Sequence, residues 1–133
     1  MHQVVASSKI ITIHSLDSPV PTKTYCPHRG VINCVAWNHN NKVIASCGID
    51  GKMALMGADN PEKSLLDIPF DPIKVVSINS CAFNSTSRYI AGGGNDSVVK
   101  VWETKSNNRD IYLNLKQHFG AVNSVCWGNA GSN

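Results

Sequence analysis

His28, Ser46 and Asp50 bring together a base, a hydroxyl and a carboxylate, the three groups of a hydrolytic relay. Such a relay also needs an exposed nucleophile and an oxyanion hole, and no motif in the chain supplies either. Cys26-Pro27-His28, with Cys34, His39 and Cys47 nearby, offers thiol and imidazole ligands of the kind zinc takes. Structural zinc uses four ligands, usually in closely spaced pairs. Here Cys34 falls in an apolar run, so the thiols are expected in the core. Gly92-Gly93-Gly94-Asn95 has the composition of a phosphate cradle. That chemistry needs a following helix and usually a Lys-Ser/Thr pair, whereas Ser97-Val98-Val99-Lys100-Val101 reads as a strand. No catalytic residue, cofactor or metal is expected.

The elements that carry these residues repeat. Val31-Ile32-Asn33-Cys34-Val35-Ala36-Trp37 aligns with Ala121-Val122-Asn123-Ser124-Val125-Cys126-Trp127, and Ser77-Ile78-Asn79-Ser80-Cys81-Ala82-Phe83 falls midway between them. A period of about 45 residues points to blades of a β-propeller rather than to an independent fold. Trp37, Phe83 and Trp127 recur at one position and are expected to pack between sheets rather than to stack on bases.

Within a repeat, β-branched alternating runs are separated by short polar turns, the signature of an all-β chain. Val31 to Trp37, Lys42 to Cys47, Lys52 to Met56 and Ser64 to Ile68 read as four strands. The turn Asn38–Asn41, the tight turn Gly48–Gly51 and the loop Asp59-Asn60-Pro61 divide them. The next copy gives Ile78 to Phe83, Arg88 to Gly92, Ser97 to Trp102 and Ile111 to Leu115, with turns at Asn84–Ser87, Gly93–Asp96 and Ser106–Arg109. Val4 to His14 matches the second and third strands of a blade, with Ser8 where Asp50 stands.

The expected organisation is an incomplete first blade over residues 1–27, a second over 28–71, a third over 72–117, and the first strand of a fourth over 118–133. Propellers close with about four to eight blades, so about three four-stranded antiparallel blades form an open arc, as in a fragment. Open edges and uncovered blade faces favour self-association or a complementary fragment.

The 133 residues carry a net charge of +3, with 42% hydrophobic and 16% charged positions. That describes a globular chain without the clustered Lys/Arg run of a nucleic-acid arm. Five cysteines, an odd number without a CxxC, suggest free thiols in a reducing compartment, the cytosol or nucleus. No apolar run is long enough to suggest a membrane-spanning helix, and Met1 to Val5 does not read as a signal peptide.

These features resemble the WD40 repeat: a His before the first strand, an Asp between the second and third, and an aromatic ending the third. The resemblance implies a hydrogen-bonded chain of Trp, Ser/Thr, His and Asp that holds each blade. Here His28, Ser46 and Asp50 occupy three of those positions, and Met56 replaces the Trp. The next repeat has Asp96 and Trp102, but Lys74 stands at the His position and Gly92 at the Ser. His118 opens the repeat after that. Asn33 to Asn40, Ile44 to Gly48, Ser87 to Gly94 and Val98 to Trp102 are also similar to a WD40 adaptor that docks γ-tubulin ring complexes on centrosomes and spindles.

That family's helical γ-tubulin-binding segment has no counterpart in these residues, so the resemblance implies only part of the localisation and recruitment half. The implied function is a non-enzymatic scaffold with protein partners, γ-tubulin complex components or centrosomal proteins among them. Other WD40 scaffolds, such as ubiquitin-ligase substrate receptors or transport-complex subunits, are the alternative. Loops entering the first strand and turns between the second and third share one face. This places Arg29, Lys74 and Phe119 beside Ile49, Lys52 and Asn95 as a candidate partner rim.

Overall fold

Short runs that alternate in character pair with their neighbours in sequence, because each turn returns the chain beside the strand it has just left. The structure, a computed structural model, describes residues 2–15, 21–39, 42–58, 60–71, 73–104 and 113–128. Every regular element among them is a strand. In chain order these are β1 (His2–Ser7), β2 (Ile10–Ser15), β3 (Pro21–Tyr25), β4 (Ile32–Trp37), β5 (Val43–Gly48), β6 (Lys52–Gly57), β7 (Asn60–Pro69), β8 (Ile78–Phe83), β9 (Tyr89–Gly94), β10 (Val99–Glu103) and β11 (Leu113–Leu115).

They form three antiparallel meanders, β1-β2-β3, β4-β5-β6-β7 and β8-β9-β10-β11. No sheet closes on itself among the described residues, in keeping with an arc of propeller blades. β1 touches β4 as β5 touches β8, and β4 and β8 lie side by side. The first sheet therefore starts at the strand equivalent to β5.

Several boundaries differ from the sequence-based expectation, most by one or two residues. Asn60 and Pro61 belong to β7 rather than to a loop, because register shifts at Leu55/Met56 and Met56/Gly57 bring Gly57 opposite Asn60. A proline is tolerated at such an irregular end of an outer strand. β9 runs through Gly94 and β10 starts at Val99 rather than at Ser97, so the turn between them shifts to residues 95–98. The turns expected at residues 38–41 and 106–109, together with Asp59, Ile111 and the tail 129–133, fall wholly or partly outside the described residues. Residues 121–128 pair in no strand ladder among the described residues but lie against the β8–β9 sheet.

The sheets stack through two cores. Ile11, Ile13, Tyr25, Ile44, Ala54 and Met56 pack between the first and second. Met53, Phe70, Ile78, Phe83, Ile90 and Trp102 pack between the second and third. Trp102 is only 1% exposed and meets Phe70 with ring centroids 5.7 Å apart at 58°. Burying a side chain of this kind contributes about 2–3 kcal/mol. Trp37 is half-buried and packs on the first core. Phe83 lies in the second core, and Trp127 is 38% exposed, its indole N–H donating to the Ala82 carbonyl at 2.9 Å.

Backbone contacts recur with the repeat. The Ile49 and Asn95 amides donate to Val31 and Ser77 carbonyls, each at 3.0 Å. At Gly48 and Gly94 a Cβ would fall on those same carbonyl oxygens, so the approach requires glycine. Asn33 and Asn79 each send Nδ2–H to a first-strand carbonyl of the next unit, Ile78 at 2.8 Å and Val122 at 2.9 Å.

Candidate functional site

His28 precedes β4, Ser46 lies mid-β5, and Asp50 sits in the turn joining β5 to β6. Folding brings them into a chain. His28 Nδ1 lies 2.9 Å from Asp50 Oδ2, and Nε2 lies 2.7 Å from Ser46 Oγ. The carboxylate can only accept, so Nδ1 carries the proton. On the other side of the ring, Nε2 and the Ser46 hydroxyl share the second hydrogen bond. Asp50 also accepts from the backbone amides of Arg29 at 3.1 Å and Lys52 at 3.4 Å. One carboxylate thus ties the loop before β4 to the start of β6.

The donor order matches a serine hydrolase, but the setting does not. Ser46 is 0% exposed and His28 is 3% exposed. A nucleophile without access to substrate holds structure instead, and a satisfied polar chain in a low-dielectric interior rigidifies its surroundings.

The third sheet solves the same problem with different residues. Lys74 is exposed rather than buried beside Asp96. Lys100 takes that role from across the turn: its Nζ lies 3.2 Å from Asp96 Oδ2 and donates to the Phe70 carbonyl at 2.6 Å. The ammonium also stands 4.1 Å from the centre of the Phe70 ring. Lys100 is only 6% exposed, although its place in an alternating strand gave no sign of burial.

Gly92 lies opposite Lys100 in the ladder, as Ser46 lies opposite Ala54. Without a hydroxyl at Gly92, the buried Trp102 Nε1 has no acceptor among the described residues. A side chain at Gly92 would press on the Met53 methyl at 2.7 Å. His118 is exposed.

Of the rim residues, Arg29, Ile49, Lys74, Asn95 and Phe119 are exposed, Phe119 fully. Lys52 is half-buried and ion-paired with Asp67 at 3.6 Å. Ile49 leans over Gly30, and Val75 lies against Gly51, so these loops touch at one edge of the sheets. Asp71 accepts from the amides of Ile73 at 2.9 Å and Lys74 at 3.2 Å, which holds its carboxyl below the usual aspartate range.

A further cluster escaped the sequence reading. The Sγ atoms of Cys34, Cys47 and Cys81 all lie within 4.8 Å of one another. Cys34 and Cys47 are ladder partners across β4 and β5, and Cys81 comes from β8 of the next sheet. Cys34 Sγ lies 3.6 Å from the Cys81 carbonyl, and hydrogen bonding among the three thiols lowers the Cys34 pKa and raises those of Cys47 and Cys81. Cys26 and Cys126 are exposed. Only Cys34 and Cys47 could have been paired from hairpin spacing; Cys81 needed the sheet stacking.

The described residues contain no helix long and apolar enough to cross a membrane. Comparison with known proteins places the repeats. The family model "WD domain, G-beta repeat" matches residues 19–55 and 72–103, just over half the chain. The chain is 26% identical to human Protein NEDD1 over 125 residues, covering 92% of this chain and 18% of that protein. It is 23% identical over 120 residues to WD repeat-containing protein slp1 of Schizosaccharomyces pombe, covering 89% and 23%. With srw1 of the same yeast it shares 26% over 106 residues, covering 80% and 18%. The chain thus spans about a fifth of the length of these relatives. The blade-like meanders, the His28–Asp50 pair in its turn and the family match agree: this chain belongs to the WD40-repeat family.

Proposed function

We propose that this chain is a non-enzymatic protein-interaction scaffold whose partner surface is the rim formed by Arg29, Ile49, Lys52, Lys74, Asn95 and Phe119. The observation that carries this reading is a division of labour. The groups capable of chemistry, His28 and Ser46, are buried and mutually satisfied, while apolar and cationic side chains stand out on the adjoining loops. Rigid blades that present exposed loops suit recognition by surface rather than reaction.

The finer reading is an adaptor serving γ-tubulin complex recruitment at centrosomes or spindles, in the cytoplasm. Its support is the resemblance of β4–β5 and β9–β10 to a γ-tubulin-docking WD40 adaptor, together with the identity to human NEDD1. The test is localisation of the tagged chain in dividing cells. Wild-type protein is expected to overlap γ-tubulin, and a Lys74→Glu/Phe119→Ala variant with unchanged circular dichroism is expected to disperse. A diffuse wild-type signal would remove the γ-tubulin reading. It would leave a scaffold of another kind, which the comparable similarity to slp1 and srw1 supports.

A further inference from the structure

The repeat itself does not require the thiols at the junction between the second and third sheets. Cys34 and Cys47 correspond to Ser80 and Gly93 one repeat on, and Cys81 corresponds to Val125. That later junction is built without a sulfur: Ser80 Oγ accepts from the Val125 amide at 3.2 Å, and Gly93 lies against the Val125 side chain. Serine, glycine and valine suffice to hold the segment 121–128 against the β8–β9 sheet. Three cysteines at one junction are therefore a local addition.

Their geometry fits a soft cation. A metal–sulfur bond of about 2.3 Å sets three trigonal sulfurs about 4.0 Å apart. The three Sγ atoms lie within 4.8 Å of one another, so sub-ångström contraction would close the shell. No His, Asp or Glu joins the group among the described residues. Thiolates take both zinc and Cu(I), but structural zinc uses four tetrahedral ligands, whereas three trigonal thiolates satisfy Cu(I). We propose that Cys34, Cys47 and Cys81 form a three-sulfur Cu(I) site that clamps β4 and β5 to β8. On binding, three S–H bonds give way to three S–Cu bonds, and three protons leave to solvent past half-buried Cys34. The copper arrives and remains as Cu(I), so no electron is transferred.

The test uses the full chain with Cys26→Ser and Cys126→Ser, which removes the two exposed thiols. Anaerobic titration with Cu(I) against a competing chelator should give one ion per chain and a sulfur-to-copper charge-transfer band. The thermal unfolding midpoint should rise. Adding Cys34→Ser or Cys81→Ser should weaken binding at least tenfold. X-ray absorption on the copper-loaded protein, which needs no further variant to fold, should count three sulfur neighbours. Two sulfurs, mainly nitrogen or oxygen neighbours, or affinity unchanged by Cys81→Ser would overturn the site.

Discussion

Lys100 sets its ammonium 3.2 Å from the Asp96 carboxylate, at the turn where the preceding repeat sets the His28 imidazole 2.9 Å from Asp50. Two different nitrogen groups thus anchor equivalent aspartates, one from the loop before the sheet and one from inside it. Lys100→Met keeps most of the apolar stem but removes the ammonium from Asp96 and from the Phe70 carbonyl. Breaking a buried pair on one side costs about 3 kcal/mol, read as a lower denaturant midpoint. Lys100→Met with Asp96→Asn should cost less than the sum of the single changes. Strict additivity would show that the pair is not coupled.

The antiparallel strands and the turns after β5 and β8 were legible because their signals are local: alternation in β4, β8 and β10, and polar residues where the chain reverses. His28, Ser46 and Asp50 could also be singled out from residue order, and their side chains meet in the structure. Lys100 was not legible. Its burial depends on the neighbouring sheet offering the Phe70 carbonyl and ring, and alternation within β10 cannot report on a neighbour. Cys81 was hidden for a related reason. It occupies the face of β8 opposite to the one Cys34 occupies on β4, so aligning the repeats separates the two thiols that stacking brings together.

Gly51 and Ser97 occupy the same turn position, with φ of 78° and 70°. Left-handed backbone is free for glycine and costs a serine about 1 kcal/mol. Ser97→Gly should therefore stabilise the chain by about 0.5–1 kcal/mol in thermal or urea unfolding. Gly51→Ala should do the reverse and more, because a Cβ there meets Val75 and the Val76 amide at 3.0 Å. A stabilising Gly51→Ala would contradict the shared-turn argument.

The loop bearing Lys74 should respond to acid. Asp71 is held below its usual pKa by the Ile73 and Lys74 amides. A carboxyl lowered on folding contributes stability above its unfolded value of about 3.9 and loses it as pH falls through the folded value. The Ile73 and Lys74 amide resonances should titrate together, with a midpoint below that of a free aspartate. Asp71→Asn should abolish the titration while leaving the sheets intact. Separate midpoints would mean that one carboxylate does not hold both amides.

Asn79 tests how the segment 121–128 is held without a strand ladder. Its Nδ2 donates to the Val122 carbonyl at 2.9 Å and to Asn95 Oδ1 at 3.0 Å, so it joins the segment to the rim turn. Among the described residues, further ties are Val122 N to Gly94 O, Val125 N to Ser80 Oγ and Trp127 Nε1 to Ala82 O. Each hydrogen bond contributes about 1 kcal/mol net, and more is lost when a buried partner is left unmet. Asn79→Ala should raise proteolytic cleavage within 121–128 several-fold, with little change in the global unfolding midpoint. Asn33→Ala removes the equivalent donor to Ile78, which lies inside a full ladder, and should lower the global midpoint instead. If both variants acted only locally, the asparagine contacts would be incidental to how one repeat stacks on the next.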